Sequence, residues 1–217
     1  LIMVAIRSFL RGGSVITGAD YVPWLITGLL GFFLVRGGMM EGMGAVQANK
    51  ALMAYRQVTP VDPVLVRNAV DTLLRTVVLA VFVLGCLFIE IDLFPDQFYL
   101  AAFGWFGLWM LGLGAGLITS VVGALLPEAA RIIRMLNLPL LIISGVIFPL
   151  QIMPRYLLEW LLYNPIPHGL EYLRLGFFES YRVVNGTSLL YFWLFVLSFL
   201  ALGLILHVRY AAELQAR

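Results

Sequence analysis

The most constraining feature of this chain is a set of unbroken apolar stretches, each about 20 residues long, which is the length a helix needs to cross a lipid bilayer. Apolar residues make up 62% of the 217 residues and charged residues only 12%, about half of the roughly 25% that a soluble domain carries. In lipid, backbone groups must pair internally, which favours helices or closed barrels. Barrel strands alternate apolar and polar residues over about ten positions, and these stretches do not. The sequence therefore predicts an all-α polytopic membrane protein.

The stretches predict one transmembrane domain over residues 1–217 with six spans, the first of them truncated. The chain opens on the apolar Leu1 with no charged segment before it, so we interpret the first residues as the tail of a span that begins upstream. Tyr21 and Trp24 are predicted to form an aromatic anchor at the outer end of the second span. The predicted positions are 1–6 for the tail of span 1, 22–46 for span 2, 64–89 for span 3, 99–126 for span 4, 132–148 for span 5 and 189–207 for span 6.

Residues 153–178 do not fit a span. They form two short amphipathic segments, 153–163 and 168–178, separated by the break Asn164-Pro165-Ile166-Pro167, since proline disfavours helix at the residue before it. Segments of about 11 residues are too short to cross the bilayer. We expect two short helices that lie in the membrane interface or re-enter the membrane between spans 5 and 6.

The distribution of cations predicts the orientation of the chain. Lysine and arginine gather in segments 47–67 and 127–134 and in the C-terminal tail, whereas segment 90–98 carries three acids and no cation. Because cytoplasmic loops carry the excess of cations, the basic segments are predicted to be cytoplasmic, and 90–98 and the two short helices to lie outside. Arg7 and Arg11, on the predicted outer side, are the exception.

The chain offers little chemistry of its own. No phosphate-binding motif G-x-x-x-x-G-K-[ST] is present, so we expect no cofactor on this chain, with ATP and Mg on a separate ATPase. The net charge of +2 without a basic stripe argues against nucleic acid. Only His168 and Glu171 could serve a membrane glycosyl- or acyltransferase, the alternative of another class. One His and one Glu fall short of the three ligands of a catalytic zinc, and neither a catalytic residue nor a metal ligand is assigned.

Charges inside predicted spans are costly in lipid and point to function. They are Arg36 and Glu41 in span 2, and Asp71 and Arg75 in span 3. Asp71 and Arg75 are four residues apart and can pair on one helix face. Two interpretations stay open for all four residues, namely structural pairing between antiparallel helices and a direct role in transport.

Two sets of residues in the outer segments could contact a ligand. His168, Glu171 and Arg174 recur every three residues and so share one face of the second short helix. That face is either an outer gate that contacts sugar or lipid, or a locally paired polar surface. The aromatic residues Tyr156, Trp160 and Tyr163 of the first short helix either stack on sugars or anchor the protein at the membrane interface.

Glycines occur in two small-xxx-small pairs, Gly38/Gly42 and Gly112/Gly116. This spacing lets helix backbones approach closely in a membrane. We expect it to serve helix packing within the protomer, with dimerisation as the alternative.

Two motifs carry a resemblance to a known family. Segment 46–63 (VQANKALMAYRQVTPVDP) follows the pattern A-N-x-x-L-x-x-Y-R-x-V-x-P-x-D through Ala48, Asn49, Leu52, Tyr55, Arg56, Val58, Pro60 and Asp62. A second block contains Phe148-Pro149-Leu150, Pro154, Asn164-Pro165, His168, Glu171 and Arg174. In both motifs the chain resembles capsule-exporter permeases of the KpsM type, the transmembrane subunits of ABC-type capsular polysaccharide exporters.

The resemblance implies an inner-membrane permease that forms a homodimer and binds two ATPase subunits. Segment 48–62 would couple to the ATPase, with a second contact in the 127–134 loop around Glu128. The outer helices, together with Phe148, would form an external gate. The implied substrate is an acidic, lipid-anchored polysaccharide, passed on to a periplasmic co-polymerase or adaptor and an outer-membrane exporter. A permease for O-antigen, teichoic acid or a small molecule is the close alternative.

Overall fold

The computed structural model describes residues 16, 18–54, 57–88 and 93–216. The predicted tail of span 1 at residues 1–6 lies outside the described residues, as do Tyr55 and Arg56 of the predicted coupling segment. Throughout the described residues the regular structure is helical, in agreement with the predicted fold class.

Four of the described helices are long and apolar enough to cross a membrane, by length and composition. They are α1 (Tyr21–Ala48), α2 (Asp62–Phe88), α3 (Phe98–Leu125) and α8 (Leu189–Arg209), and they match predicted spans 2, 3, 4 and 6 to within a few residues. The shorter helices are α4 (Pro127–Met135), α5 (Asn137–Ile143), α6 (Arg155–Leu161), α7 (Pro165–Phe177) and α9 (Ala211–Ala216), with 3-10 helices at Lys50–Ala54 and Leu150–Ile152.

The predicted span over residues 132–148 is not one helix. The structure has α4 and α5 there, separated at Leu136, and the chain turns after Ile143. Pro139 explains the break, because proline lacks the N–H that would bond the carbonyl four residues earlier and its ring crowds that carbonyl. Gly145, with a φ of +65°, supports the turn, since glycine adopts this backbone region without steric cost.

The two predicted short helices are present as α6 and α7, but α7 begins at Pro165, three residues before the predicted start at residue 168. Asn164 caps α7, with its side-chain oxygen accepting a hydrogen bond from the Ile166 N–H at 3.0 Å. Proline is favoured in the first turn of a helix because no intrahelical partner exists there for its missing N–H. The Asn164–Pro165 break is therefore also the start signal of α7.

The chain divides into two compact units. Unit 1 takes its described residues from the range up to Phe32, from Thr76–Phe106 and from Leu141–Phe192, and unit 2 from Phe33–Arg75, Gly107–Leu140 and Trp193–Arg217. Unit 1 contains α6 and α7, and ten of the thirteen residues of α7 are buried.

The core of unit 2 is built on the small-residue face of α3. A Cβ added at Gly42 would come within 2.6 Å of the Gly116 Cα, and one added at Gly112 within 2.7 Å of the Leu34 carbonyl oxygen. The backbones of α1 and α3 therefore touch, and the Thr119 hydroxyl donates to the Met39 carbonyl at 2.8 Å beside this contact. The prediction that the glycine pairs serve packing within the protomer is confirmed.

Candidate functional site

The polar face of α7 lies inside unit 1. The exposed fractions of His168, Glu171 and Arg174 are 2%, 0% and 0%. This differs from the expectation of a helix lying in the membrane interface with its polar face at the surface. Buried charges need partners, and these three residues define a network, which we call the α7 network.

Arg174 is held on several sides. Its guanidinium lies 3.6 Å from the centre of the Trp24 ring and forms an ion pair with Glu171 at 3.3 Å. It also donates hydrogen bonds to the carbonyls of Gly145 at 3.1 Å and Val146 at 3.3 Å. A side chain at Gly28 of α1 would overlap the guanidinium, so this glycine makes the space that Arg174 occupies. Trp24, predicted to be an interface anchor, is instead fully buried beneath Arg174.

Glu171 connects α7 to the segment that follows it. Its carboxylate accepts hydrogen bonds from the Tyr181 hydroxyl at 2.8 Å and from the Val184 N–H at 3.1 Å, in addition to Arg174. Burial and the adjacent Glu171 carboxylate raise the pKa of Tyr181, so the phenol keeps its proton and remains a donor. The carboxylate oxygens are therefore occupied by structural partners.

His168 joins the two ends of the same region. Its Nδ1 accepts from the Ser188 N–H at 2.9 Å, and its Nε2 lies 2.8 Å from the Leu162 carbonyl oxygen. Because Nδ1 accepts, the proton is on Nε2 and the ring is neutral. Burial lowers the pKa of His168, against smaller opposing effects of the Leu162 carbonyl and Glu171. Both ring nitrogens are thus engaged, which leaves no free nitrogen for acid–base catalysis.

The α7 network connects several parts of unit 1 that are distant in sequence. Through Arg174 it reaches the turn after α5, through Trp24 the start of α1, and through His168 the residue before α8. The described residues hold no group of three His, Cys, Asp or Glu side chains that could bind a metal. The arrangement determines how α6 and α7 are held.

The predicted gate aromatics lie on the surface of unit 1. The exposed fractions of Phe148, Tyr156, Trp160 and Tyr163 are 51%, 66%, 75% and 71%. The Trp160 and Tyr163 rings are 6.0 Å apart, and the Tyr163 carbonyl accepts a hydrogen bond from the Tyr191 hydroxyl at 2.8 Å. Unit 1 therefore combines an exposed aromatic surface on α6 with a rigid polar network in α7, rather than one site that contains both predicted sets.

In unit 2 the described part of the predicted coupling segment is a short, capped connection between α1 and α2. Asn49 donates to the Ala45 carbonyl at 2.8 Å, and the Asp62 carboxylate accepts from the Thr59 N–H at 2.7 Å and hydroxyl at 2.9 Å. The bond from the Thr59 N–H to Asp62, three residues on, is one half of the capping box that stabilises a helix start, and the Asn49 bond satisfies a carbonyl at the end of α1. Ala48 and Leu52 are exposed, Pro60 is buried, and Glu128 of the predicted second contact is exposed on α4.

Three of the four predicted intramembrane charges lie in ion pairs. Glu41 of α1 pairs with Arg67 of α2 at 3.8 Å, and Asp71 pairs with Arg75 at 2.7 Å. Glu41 thus pairs across two antiparallel helices and Asp71 with Arg75 within α2, so that both interpretations of these charges stay predictions, while Arg36 is in no ion pair within the described part of the chain.

Sequence reasoning missed Gly28, Tyr181 and the burial of Trp24. Their partners lie far away in the chain: Trp24 donates to the Tyr181 hydroxyl, 157 residues on, at 3.3 Å. A glycine inside an apolar helix gives no local signal that it faces an arginine.

Membrane-length helices joined by a short connection, with polar networks that pair internally, are features of a polytopic membrane protein. The family model described as ABC-2 type transporter matches residues 3–178, and the chain belongs to that family. The prediction of an ABC-type permease subunit, with ATP hydrolysis on another subunit, is confirmed by this membership.

Curated proteins similar to this chain include transport and export proteins for bacterial polysaccharides. The chain is 33% identical over 191 residues to the polysialic acid transport protein KpsM of Escherichia coli, covering 87% of this chain and 72% of the relative. It is 26% identical over 216 residues to the capsule polysaccharide export inner-membrane protein CtrC of Neisseria meningitidis, covering 99% and 80%. It is also 26% identical over 205 residues to the capsule polysaccharide export inner-membrane protein BexB of Haemophilus influenzae, covering 94% and 76%.

Proposed function

We propose that this chain is the permease subunit of an exporter that moves capsular polysaccharide across the inner membrane. The observation that carries the proposal is its similarity, over most of its length, to transport proteins for capsular polysaccharide and polysialic acid in three bacteria. The proposal includes six spans, a homodimer, and two ATPase subunits that bind ATP and Mg. It also includes an acidic, lipid-anchored substrate that passes to a periplasmic adaptor and an outer-membrane exporter.

Segment 48–62 is proposed to receive the force of ATP hydrolysis. Its 3-10 helix Lys50–Ala54 lies between two membrane-length helices and exposes Leu52, which is 49% accessible. An exposed apolar side chain on a short connection suits insertion into a groove of a partner protein. Because the connection is capped at Asn49 and Asp62, a push on it is transmitted to α1 and α2 as rigid elements.

The exposed aromatic surface of α6 is proposed to contact the sugar on the outer side. Tyr and Trp rings present apolar faces that pack well against sugar rings, together with polar edges. A long polymer must move on through repeated weak contacts, since conduction fails when any one site binds too tightly. The α7 network supports this surface by fixing the helices beneath it.

The coupling assignment is tested by co-expressing the chain with its ATPase and extracting the complex in mild detergent. We expect wild-type permease to retain the ATPase and to restore capsule in a strain that lacks its own permease. Tyr55→Ala with Arg56→Glu should lose both, because the change removes the predicted ATPase contact. The matched control is Arg182→Glu, an exposed position in unit 1, which should keep both.

The two measurements separate the parts of the proposal. Normal ATPase retention and normal capsule in the double variant would refute the coupling assignment. If the wild-type chain bound the ATPase but failed to restore capsule, the assignment of capsular polysaccharide as the substrate would be refuted instead.

A further inference from the structure

Arg36 occupies an unusual place for a cation. It lies about 2 Å along the axis from the middle of α1, a helix of 28 residues, and its side chain is exposed. At this depth it is farther from either end of α1 than one extended side chain can reach. A charge near the middle of a membrane-length helix is costly and is retained where it has a function.

Charged groups of α2, which runs antiparallel to α1 within unit 2, lie beside the same stretch of α1 as Arg36. Contacts pair Gly37 with Asp71, Gly38 with Asn68 and Glu41 with Arg67. Arg75, the central residue of α2, and Arg36 lie 5.7 and 5.8 Å from the centre of the same Phe33 ring. One aromatic ring therefore attracts both guanidinium groups by cation–π contact.

The charges around Phe33 do not balance. Asp71 pairs with Arg75 at 2.7 Å, and that pair packs against Gly37, where a side chain would overlap the Asp71 carboxylate. In the described part of the chain no acid forms an ion pair with Arg36. The cluster of Arg36, Asp71 and Arg75 thus holds two cations and one anion.

We propose that Arg36 is an anion-binding contact on the transport path, which engages carboxylate or phosphate groups of the polymer as they pass mid-membrane. A guanidinium binds either group through two parallel hydrogen bonds. Lipid headgroups lie towards the ends of a membrane-length helix and are poorly placed to meet a residue near its middle, which favours an anion carried by a transported molecule. Arg36 lies beside the ion pair of Asp71 and Arg75, and a single cation attracts an anion without enclosing it. Transport of a long polymer requires such weak, repeated contacts.

The inference rests on the proposed export function, and the test uses the assembled exporter in two hosts. One host makes an acidic polymer and the other an uncharged polymer on the same lipid anchor. For Arg36→Gln we expect export of the acidic polymer to fall about tenfold, the equivalent of one charge-assisted hydrogen bond, with export of the uncharged polymer little changed. Arg36→Lys, which keeps the charge, should retain most of the export of acidic polymer.

Arg209→Gln is the matched control, because Arg209 is also exposed and also lies beside one aromatic ring, Tyr210 at 5.9 Å, but at the end of α8. It should leave export of both polymers unchanged. Equal loss of both polymers in Arg36→Gln, loss of the dimer on size-exclusion chromatography, or no loss at all would overturn the inference. If wild-type chain exported neither polymer, the proposed function itself would fail, which is a separate outcome.

Discussion

At the scale of single residues, Arg174 is the cation of the α7 network. It is fully buried, and its guanidinium contacts Glu171, two carbonyls and the Trp24 ring. Removing one partner of a buried pair leaves an uncompensated charge, which costs about 3–5 kcal/mol. We therefore expect Arg174→Met to lower the free energy of unfolding by about that amount, measured by thermal denaturation of the purified protein in detergent.

The surface offers a control with the same charges. Arg155 and Glu159 pair at 3.3 Å, but their side chains are 92% and 67% exposed. Exposed pairs contribute little because water screens them, so Arg155→Met should leave the melting temperature nearly unchanged. Equal melting temperatures for the two variants would contradict the role of the α7 network.

His168 predicts a pH dependence. Its pKa in the folded protein is lowered by burial, so between that value and its ordinary value of about 6.5 the unfolded chain binds the extra proton. The stabilisation by neutral His168 is complete above about pH 6.5 and is lost as the pH falls towards the lowered pKa. The melting temperature should drop over this acidic range.

The variant His168→Asn removes this titration. It should melt at a lower temperature than wild type at neutral pH, because the Ser188 N–H and the Leu162 carbonyl lose their partner. Its melting temperature should also change less with acidification. An unchanged pH slope would show that another group causes the dependence.

At the scale of elements, the contact between α1 and α3 depends on the absence of side chains. A Cβ at Gly42 would lie 2.6 Å from the Gly116 Cα and carbonyl oxygen, whereas one at Gly85 of α2 would meet nothing within 4 Å. Forcing a methyl group into packed backbone costs about 1–3 kcal/mol. Gly42→Ala should therefore lower the melting temperature in detergent, and Gly85→Ala should leave it unchanged or raise it slightly, since alanine favours helix.

The comparison of these two variants separates packing from helix propensity. Both add one methyl group to a membrane-length helix, and they differ only in what lies opposite. If both lowered the melting temperature equally, the close contact between α1 and α3 would not be the cause.

The helix boundaries show which features of the fold the apolar pattern predicts and which it does not. Apolar length correctly predicted four membrane-length helices, but the same criterion merged α4, α5 and the following turn into one span. Apolar content measures the solvent that a segment prefers and does not register Pro139, whose missing N–H interrupts the helix. The start of α7 was predicted at His168, three residues late, because residues 164–167 were interpreted as a break, whereas Asn164 caps the helix and Pro165 begins it.

At the scale of the whole molecule, the buried charges Glu171 and Arg174 pair with each other, and many large apolar side chains lie at the surface. Phe88, Tyr99 and Val208 are 85%, 89% and 79% exposed, as expected where lipid is the solvent. Of the four predicted intramembrane charges, Arg36 is the one without an ion pair in the described part of the chain.

The sequence by itself determined the solvent, the helical class and the small-residue faces, because each depends on composition or on spacing within one helix. It also carried the motifs of the family, including Asn49, Leu52 and the residues of the α7 network. Only the tertiary structure decided that His168, Glu171 and Arg174 are buried partners rather than a surface gate. The spacing of three residues places them on one face, but whether water, lipid, Trp24 or Tyr181 meets that face depends on contacts between segments up to 157 residues apart.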